Sequence, residues 1–215
     1  MLVPAHILRD LLVGTVLAAS KDFTLPVLTT VHLSWESVPG TAGVQEHHAG
    51  ELVATSTDRY RMHEGRTTVA LHDDEQGGQA LVDRRDVEAV VKALPKPVNH
   101  RGMAPDAAVR LDGDKLVVEC GGSTHRLPVV DATFPKVAAL WPADDNRAMV
   151  DGVTVNPAFV ADLAKVPTGK GKYWTWNFTA STRGVGPALV RPAPGEEHPA
   201  IAWRALVMPV TLPTA

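Results

Sequence analysis

Two stretches of this chain carry the same helical frame and run into the same stop. Val87, Val91 and Leu94 lead into Pro95, and Phe159, Leu163 and Val166 lead into Pro167. Positions i, i+4 and i+7 share one face of an α-helix, and proline has no N–H with which to continue it. Leu8, Leu12 and Val16 form a looser copy near the start. Strand-like runs follow each copy, so one helix-plus-strands unit recurs at spacings of roughly seventy to eighty residues. That recurrence points to an α+β arrangement with helices on one face of a sheet. Repeated units build surfaces or rings, and function then sits on faces rather than in one catalytic cleft.

The strands are legible between the helices. Val31, Leu33 and Trp35 alternate with His32, Ser34 and Glu36, the pattern of a half-buried strand. After a loop at Pro39 to Gly50, the runs Leu52 to Thr55, Arg66 to Leu71 and Ala80 to Val82 read as strands, with a polar turn at Asp73 to Gly78. The second helix spans Arg84 to Leu94. Strands at Ala108 to Leu111, Leu116 to Glu119 and His125 to Val130 follow, with Asp112-Gly113-Asp114 as a hairpin turn. Phe134 to Asn146, with two prolines and two aspartates, reads as a linker. In the third unit Asn156 caps a helix that has Pro157 at its first position. Strands then run over Tyr173 to Thr179, Ala188 to Val190 and Ile201 to Val210. The resulting division is 1–132 as two half-units (1–78 and 79–132), a linker at 133–150 and a further half-unit at 151–215.

Chemistry is hard to find. Glu46-His47-His48 lies in a loop and His63-Glu64 lacks the second histidine of a zinc-protease helix, so surface histidines are expected and no metal. Gly169-Lys170-Gly171-Lys172 follows its helix and lacks the Ser or Thr of a phosphate loop. Asp73-Asp74 and Asp144-Asp145 sit in polar loops, where solvation explains them. No Gly-x-Ser-x-Gly elbow is present, no cofactor motif stands out, and no enzyme is expected. The single cysteine, Cys120, excludes an internal disulfide and fits a reducing compartment. Leu11 to Ala19 is apolar, but Asp10 abuts it, so a cytoplasmic helix is expected rather than a secretory leader. No run approaches the roughly 18 apolar residues of a membrane span. A formal charge of −3 gives no bulk attraction to nucleic acid, so any such contact needs a local basic patch.

Three segments together resemble one family, the β sliding clamp of bacterial DNA polymerase III. Leu52-Val53-Ala54-Thr55-Ser56-Thr57-Asp58-Arg59-Tyr60-Arg61 looks like the clamp motif Val-Ala-Thr-Asp-Gly-(His/Tyr)-Arg-Leu. Phe134-Pro135 followed by Leu140-Trp141-Pro142 looks like its Phe-Pro…Leu-Pro linker. Ala205-Leu206-Val207-Met208-Pro209-Val210-Thr211-Leu212 looks like its Val-Met-Pro-Met-Arg-Leu ending. Lys21-Asp22 to Leu28 and Pro187 to Pro192 add weaker matches in the same order. On this alignment Thr57 stands for the usual glycine, Tyr60 for leucine and Thr211 for the terminal basic residue.

The resemblance implies a DNA-clamp fold of three half-modules: a complete middle domain and the second half of the last. It also implies an apolar pocket for a short linear peptide of partner proteins, walled by Leu28, Thr55, Thr57, Arg59, Tyr60, Pro135, Leu140, Pro187, Leu206, Met208, Pro209 and Val210. Without the resemblance, ordinary core packing explains the apolar members. It implies sequence-independent contact with double-stranded DNA through Arg9, Lys21, Arg84, Arg85, Lys92, Lys96, Arg101, Lys165, Lys170 and Lys172, a salt-dependent attraction that positions rather than specifies. Solvated helix ends are the plainer reading of those cations. The implied partners are a replicative polymerase, other proteins with clamp-binding peptides and a clamp loader. Known rings of this fold have twelve half-modules, so three per chain implies a homo-oligomer of four, in a compact clamp of phage-like type. The alternative is a clamp-like adaptor that keeps the pocket without the ring and captures clamp-binding peptides.

Overall fold

The computed structural model describes residues 1–38, 47–73, 75, 77–96, 105–143, 146, 148–169, 172–181 and 184–210. Arg101, Lys170, Glu46, Asp74, Asp144, Asp145 and the last five residues lie outside them. The first unit is β1 (Leu2–Pro4), α1 (Ala5–Val16), β2 (Thr30–Ser37), β3 (His47–Thr57) and β4 (Arg61–His72). The second is β5 (Gly77–Asp83), α2 (Arg84–Ala93), β6 (Asp106–Asp112), β7 (Lys115–Cys120) and β8 (Ser123–Pro128). The third is α3 (Pro157–Leu163), β9 (Trp174–Ser181), β10 (Gly184–Pro192) and β11 (Ala202–Val207).

All strand pairs are antiparallel, in the order β5-β2-β3-β4-β1-β6-β7-β8. The two ends of that order meet again, through a bridge between Val82 and Val129 and a bond from Val130 N–H to Leu81 C=O at 2.8 Å. The sheet therefore curls round α1 and α2 rather than lying flat beneath them. The third unit joins along β4: Arg61 to Arg66 pair with Val207 to Ala202, while Ala70, further along the same edge, pairs with Leu2. β10 and β9 continue outward from β11.

Inward-facing Val31, Leu33 and Trp35 are buried, as their alternation requires. In α2 the buried residues are Val87 and Val90, with Leu94 just beyond; Val91 is half-buried, so the packed stripe runs one position earlier than expected. α3 ends at Leu163, four residues before Pro167, so the proline does not terminate it. Val166 is still buried, in the turn after the helix, where it joins the core of the first two units. Asn156 caps α3 as expected, its Oδ1 accepting from Ala158 N–H at 3.0 Å. No helix among the described residues is long and apolar enough to cross a membrane.

α1 is enclosed on nearly every side, and no residue of it is exposed. A β-carbon on Gly14 would lie 2.4 Å from the Trp203 ring, and one on Gly65 would lie 2.7 Å from the same ring. Glycine at these two positions lets β11 bring its indole against α1 and β4. The carbonyls around the helix C-terminus, which have no helical partner, are taken by side chains. His63 Nδ1 bonds to Gly14 C=O at 2.9 Å, Ser56 Oγ to Thr15 C=O, Arg61 Nη2 to Leu17 C=O at 2.7 Å and Arg84 Nη1 to Ala19 C=O at 3.0 Å.

His63 is fully buried, and burial pushes its pKa down from 6.5 to about 4, against the raising effect of its bond to Gly14. The folded protein keeps the ring neutral where the unfolded chain protonates it. Stability is then unaffected by this group above pH 6.5 and falls as pH drops toward 4, by about 3 kcal/mol in full. Urea unfolding at pH 7 and pH 4.5 should show this loss, and His63→Gln should flatten the slope between those values.

Candidate peptide-docking site

The turn between β3 and β4 is built by two short side chains. Asp58 Oδ1 accepts from the N–H groups of Tyr60 and Arg61, both at 3.0 Å, while Thr57 Oγ1 accepts from Arg59 N–H at 3.1 Å and donates to Arg61 C=O at 2.7 Å. These bonds hold Arg59 at φ 79°, the left-handed region that favours glycine. The glycine of the clamp-like motif is therefore matched by Arg59 and not by Thr57. In this register Asp58-Arg59-Tyr60-Arg61-Met62 stands against Asp-Gly-(His/Tyr)-Arg-Leu, so Tyr60 occupies the aromatic position and Met62 the leucine position.

β4 and β11 then present their outward side chains in register. Met62 lies opposite Leu206, and Leu206 opposite Leu189 of β10. The three form a buried apolar patch, with Val137 and Trp141 of the linker packed against it. Beside it, Met208 N–H donates to Tyr60 C=O at 2.8 Å, which brings those two residues together. Tyr60 (57%), Met208 (42%), Val210 (43%) and Leu140 (59%) are exposed despite their apolar bodies. The linker reaches this face through Phe134, stacked on His32 with ring centroids 5.0 Å apart, and a short turn at Ala138–Leu140.

A charged set borders the patch. The buried Glu64 carboxylate accepts from Arg66 Nε at 2.8 Å and from Arg204 Nε at 2.7 Å, and Arg66 reaches Glu51 at 3.0 Å. The Arg204 guanidinium also lies 3.8 Å from the Trp141 ring centroid. A cleft of about 290 Å³ next to this set is lined by Thr55, Glu64, Arg66, Val137, Trp141 and Arg204, among others. The site thus offers exposed apolar groups beside a cleft bordered by two arginines, each paired with a carboxylate.

The expected wall is only partly assembled. Leu206, Tyr60 and Met208 belong to the β4–β11 seam and Leu140 to the linker beside it, while Pro209 leads on to Val210, whose N–H bonds to Thr154 C=O at 2.8 Å. Leu28 and Thr57 are buried; Thr57 acts through the turn, and Leu28 C=O accepts from Ser20 N–H at 2.8 Å. Pro135 lines a separate groove of about 1010 Å³ between the linker and the Gln79–Leu81 strand. Pro187 C=O receives Thr179 Oγ1 at 2.8 Å. Met62, Leu189, Val137 and Trp141 pack together here although none is in the expected wall. The period-two pattern marks Leu189 and Met62 as apolar strand residues, but no local signal says that they meet.

The basic residues divide in the same way. Arg9 pairs with Asp10 at 3.2 Å, and Asp10 also lies 3.6 Å from His198. Arg84 is held by Ala19 and Ser20 carbonyls and by Glu88 at 2.6 Å. Arg85 stacks over Phe23 at 4.0 Å, and Lys165 pairs with Asp162 at 2.7 Å. Burial opposes the Asp162 carboxylate, but the bonds from Lys165 and Arg61 outweigh it and hold its pKa below the ordinary value. Lys21, Lys92, Lys96 and Lys172 are exposed.

No protein-family model matches the chain, and no curated protein matches it in sequence. Solved structures do. The DNA polymerase III β subunit of Thermotoga maritima superposes over 99% of this chain and 65% of its own, with a TM-score of 0.66 at 17% identity. The DNA polymerase sliding clamp of Bacillus subtilis gives 0.62 at 13% over 99% and 64%, and that of Pseudomonas aeruginosa 0.59 at 15% over 99% and 66%. The fold is that of the β sliding clamp. The chain spans about two thirds of the length of these clamps, between 64% and 66%. Its α+β architecture, with helices held by a large antiparallel sheet, is the clamp architecture over the part that superposes.

Two stability outcomes follow. Arg59→Gly should raise stability by up to about 1 kcal/mol in urea unfolding, because glycine takes the left-handed conformation without steric cost. Glu64→Ala should lower it by about 1–2 kcal/mol, because two partly exposed guanidinium groups lose the buried carboxylate between them while Arg66 keeps Glu51.

Proposed function

We propose that this protein is a sliding-clamp-type tether, which holds a DNA polymerase or another replication protein on double-stranded DNA and has no catalytic step of its own. The observation that supports it best is the coincidence, on a clamp fold, of exposed Tyr60 and Met208, bonded to each other, and the linker around Leu140 with the Met62–Leu189–Leu206 patch. A short partner peptide would set apolar side chains against these groups and an acidic one toward Arg204 or Arg59. Methionine at position 208 suits such a surface, since its flexible thioether fits differing partners. Lys21, Lys92, Lys96 and Lys172 would supply the DNA contact, in the cytoplasm, within a ring assembled from several chains.

A second reading is a clamp-like adaptor that captures the same peptides without encircling DNA. It is favoured by α1, which has no exposed residue, and by the ion pairs that hold Arg9 and Arg84. Fluorescence anisotropy with a labelled polymerase-derived clamp-binding peptide tests what the two readings share: Met208→Asp should weaken binding at least tenfold, on the order of 1.4 kcal/mol. Unchanged affinity would remove both. Retention on nicked circular DNA, lost on linearisation and weakened by Lys92→Glu with Lys96→Glu, separates them: the tether requires it and the adaptor lacks it.

A further inference from the structure

We infer that the third unit pairs with the third unit of a second copy of this chain, through the same reciprocal strand exchange that joins the first two units. Within the first two units the exchange is visible twice. The segment before each helix bonds on one side to its own last strand, through the residue two before the N-cap: Leu2 pairs with Ala70, and Leu81 C=O accepts from Val130 N–H. The next residue faces the sister unit. Val3 pairs with Ala107 of β6, and Val82 pairs with Val31 of β2. Each sister contact thus joins the residue before an N-cap to the first inward-facing residue of the strand that follows the other helix.

The third unit repeats the first half of this pattern and lacks the second. Thr154, two before the N-cap Asn156, accepts from Val210 N–H through its carbonyl at 2.8 Å. Its neighbours Val153 and Val155 therefore turn their backbone groups the other way. Trp174, Trp176 and Phe178 of β9 correspond to the inward row Val31, Leu33 and Trp35 of β2, yet all three are only half-buried. Phe178 C=O accepts from Ala148 N–H at 2.8 Å, so this row turns its backbone away from β10. Among the described residues β9 pairs with β10 alone.

A two-fold axis supplies what is missing. Val155 of one copy would meet Trp174 of the other and Val153 would meet Trp176, in both directions, making an isologous interface that closes on itself. The Phe178–Ala180 end of β9, already bonded to Asn146 and Ala148, lies outside that register and is not disturbed. The contact would cover an aromatic row that the small buried set Leu163, Ala188, Val190, Ala205 and Val207 leaves half-open. The bond shared with the peptide site is the one from Val210 N–H to Thr154 C=O, and Thr154→Cys keeps that backbone bond.

The register places exposed Thr154 of one copy opposite exposed Thr175 of the other. The test uses the full chain with Cys120→Ser, carrying either Thr154→Cys or Thr175→Cys. After mild oxidation, an equimolar mixture of the two variants should give a disulfide-linked pair on a non-reducing gel, and each variant alone should not, because neither position meets itself across the axis. Light scattering of the unmodified chain should give about 46 kDa, twice its 23.0 kDa mass, or an even multiple. A monomer throughout the micromolar range would overturn the inference. So would a mixture that fails to cross-link, or one that cross-links no better than the single variants.

Discussion

The C-terminus of α1 is where the three units are tied together. Backbone turns reach only part of it: the Thr15 and Val16 carbonyls accept from Ala18 and Ala19 N–H, both at 3.2 Å, and a buried carbonyl without a partner costs about as much as a lost hydrogen bond. His63, Ser56, Arg61 and Arg84 donate to Gly14, Thr15, Leu17 and Ala19, from β4, β3 and α2. Two of these donors are guanidinium groups, which also match the negative end of the helix dipole. Arg61 extends the junction further. Its Nη1 reaches Asp162 of α3 at 2.6 Å, and its guanidinium lies 4.6 Å from the Phe159 ring centroid. One side chain thus couples the first helix, the β3–β4 turn and the third helix.

That junction accounts for the asymmetry of the two faces. On the inner face, Trp203 of β11 lies against Gly14 and Gly65, and beside it Arg61 of β4 pairs with Asp162 of α3. On the outer face the same strand pair is tied by Glu64 and Arg204, with Trp141 laid over the arginine. Among the exposed apolar residues, Tyr60 and Met208 occur where this outer packing ends, at the β3–β4 turn and just past β11. Under the proposed function, a seam whose backbone is already paired would leave few groups to order when a peptide binds.

Part of the candidate site is legible from short motifs. Tyr60, Leu206, Met208, Pro209 and Val210 stand in segments whose resemblance to clamp sequences needs no knowledge of packing. The register of the turn did not follow in the same way. Thr57 and Arg59 are two residues apart in a stretch where either alignment leaves a plausible set of matches, and only the left-handed backbone at Arg59 separates them. Arg9 and Arg84 show the opposite limit. Their charge and their helical setting are evident, but whether an arginine faces solvent or a neighbouring carbonyl depends on partners dozens of residues away, such as Ala19 for Arg84.

By itself the sequence determined most of the helices and strands and that one unit recurs, because 3.6-residue and two-residue periodicities are local properties of the chain; β1 and the start of β3 at His47–Gly50, read as loop, escaped it because their residues carry no such period. It also determined the apolar character of the chain's final described residues and the aspartate that shapes the β3–β4 turn. The tertiary structure alone decided that β11 adds to β4 ahead of β1, that Met62, Leu189 and Leu206 form one patch, and that the sheet closes on itself through Val82 and Val129. Those outcomes depend on which of several similar apolar edges meet. Hydrophobic burial has no direction, so the choice falls to specific fits such as an indole against two glycines and a guanidinium shared by three elements.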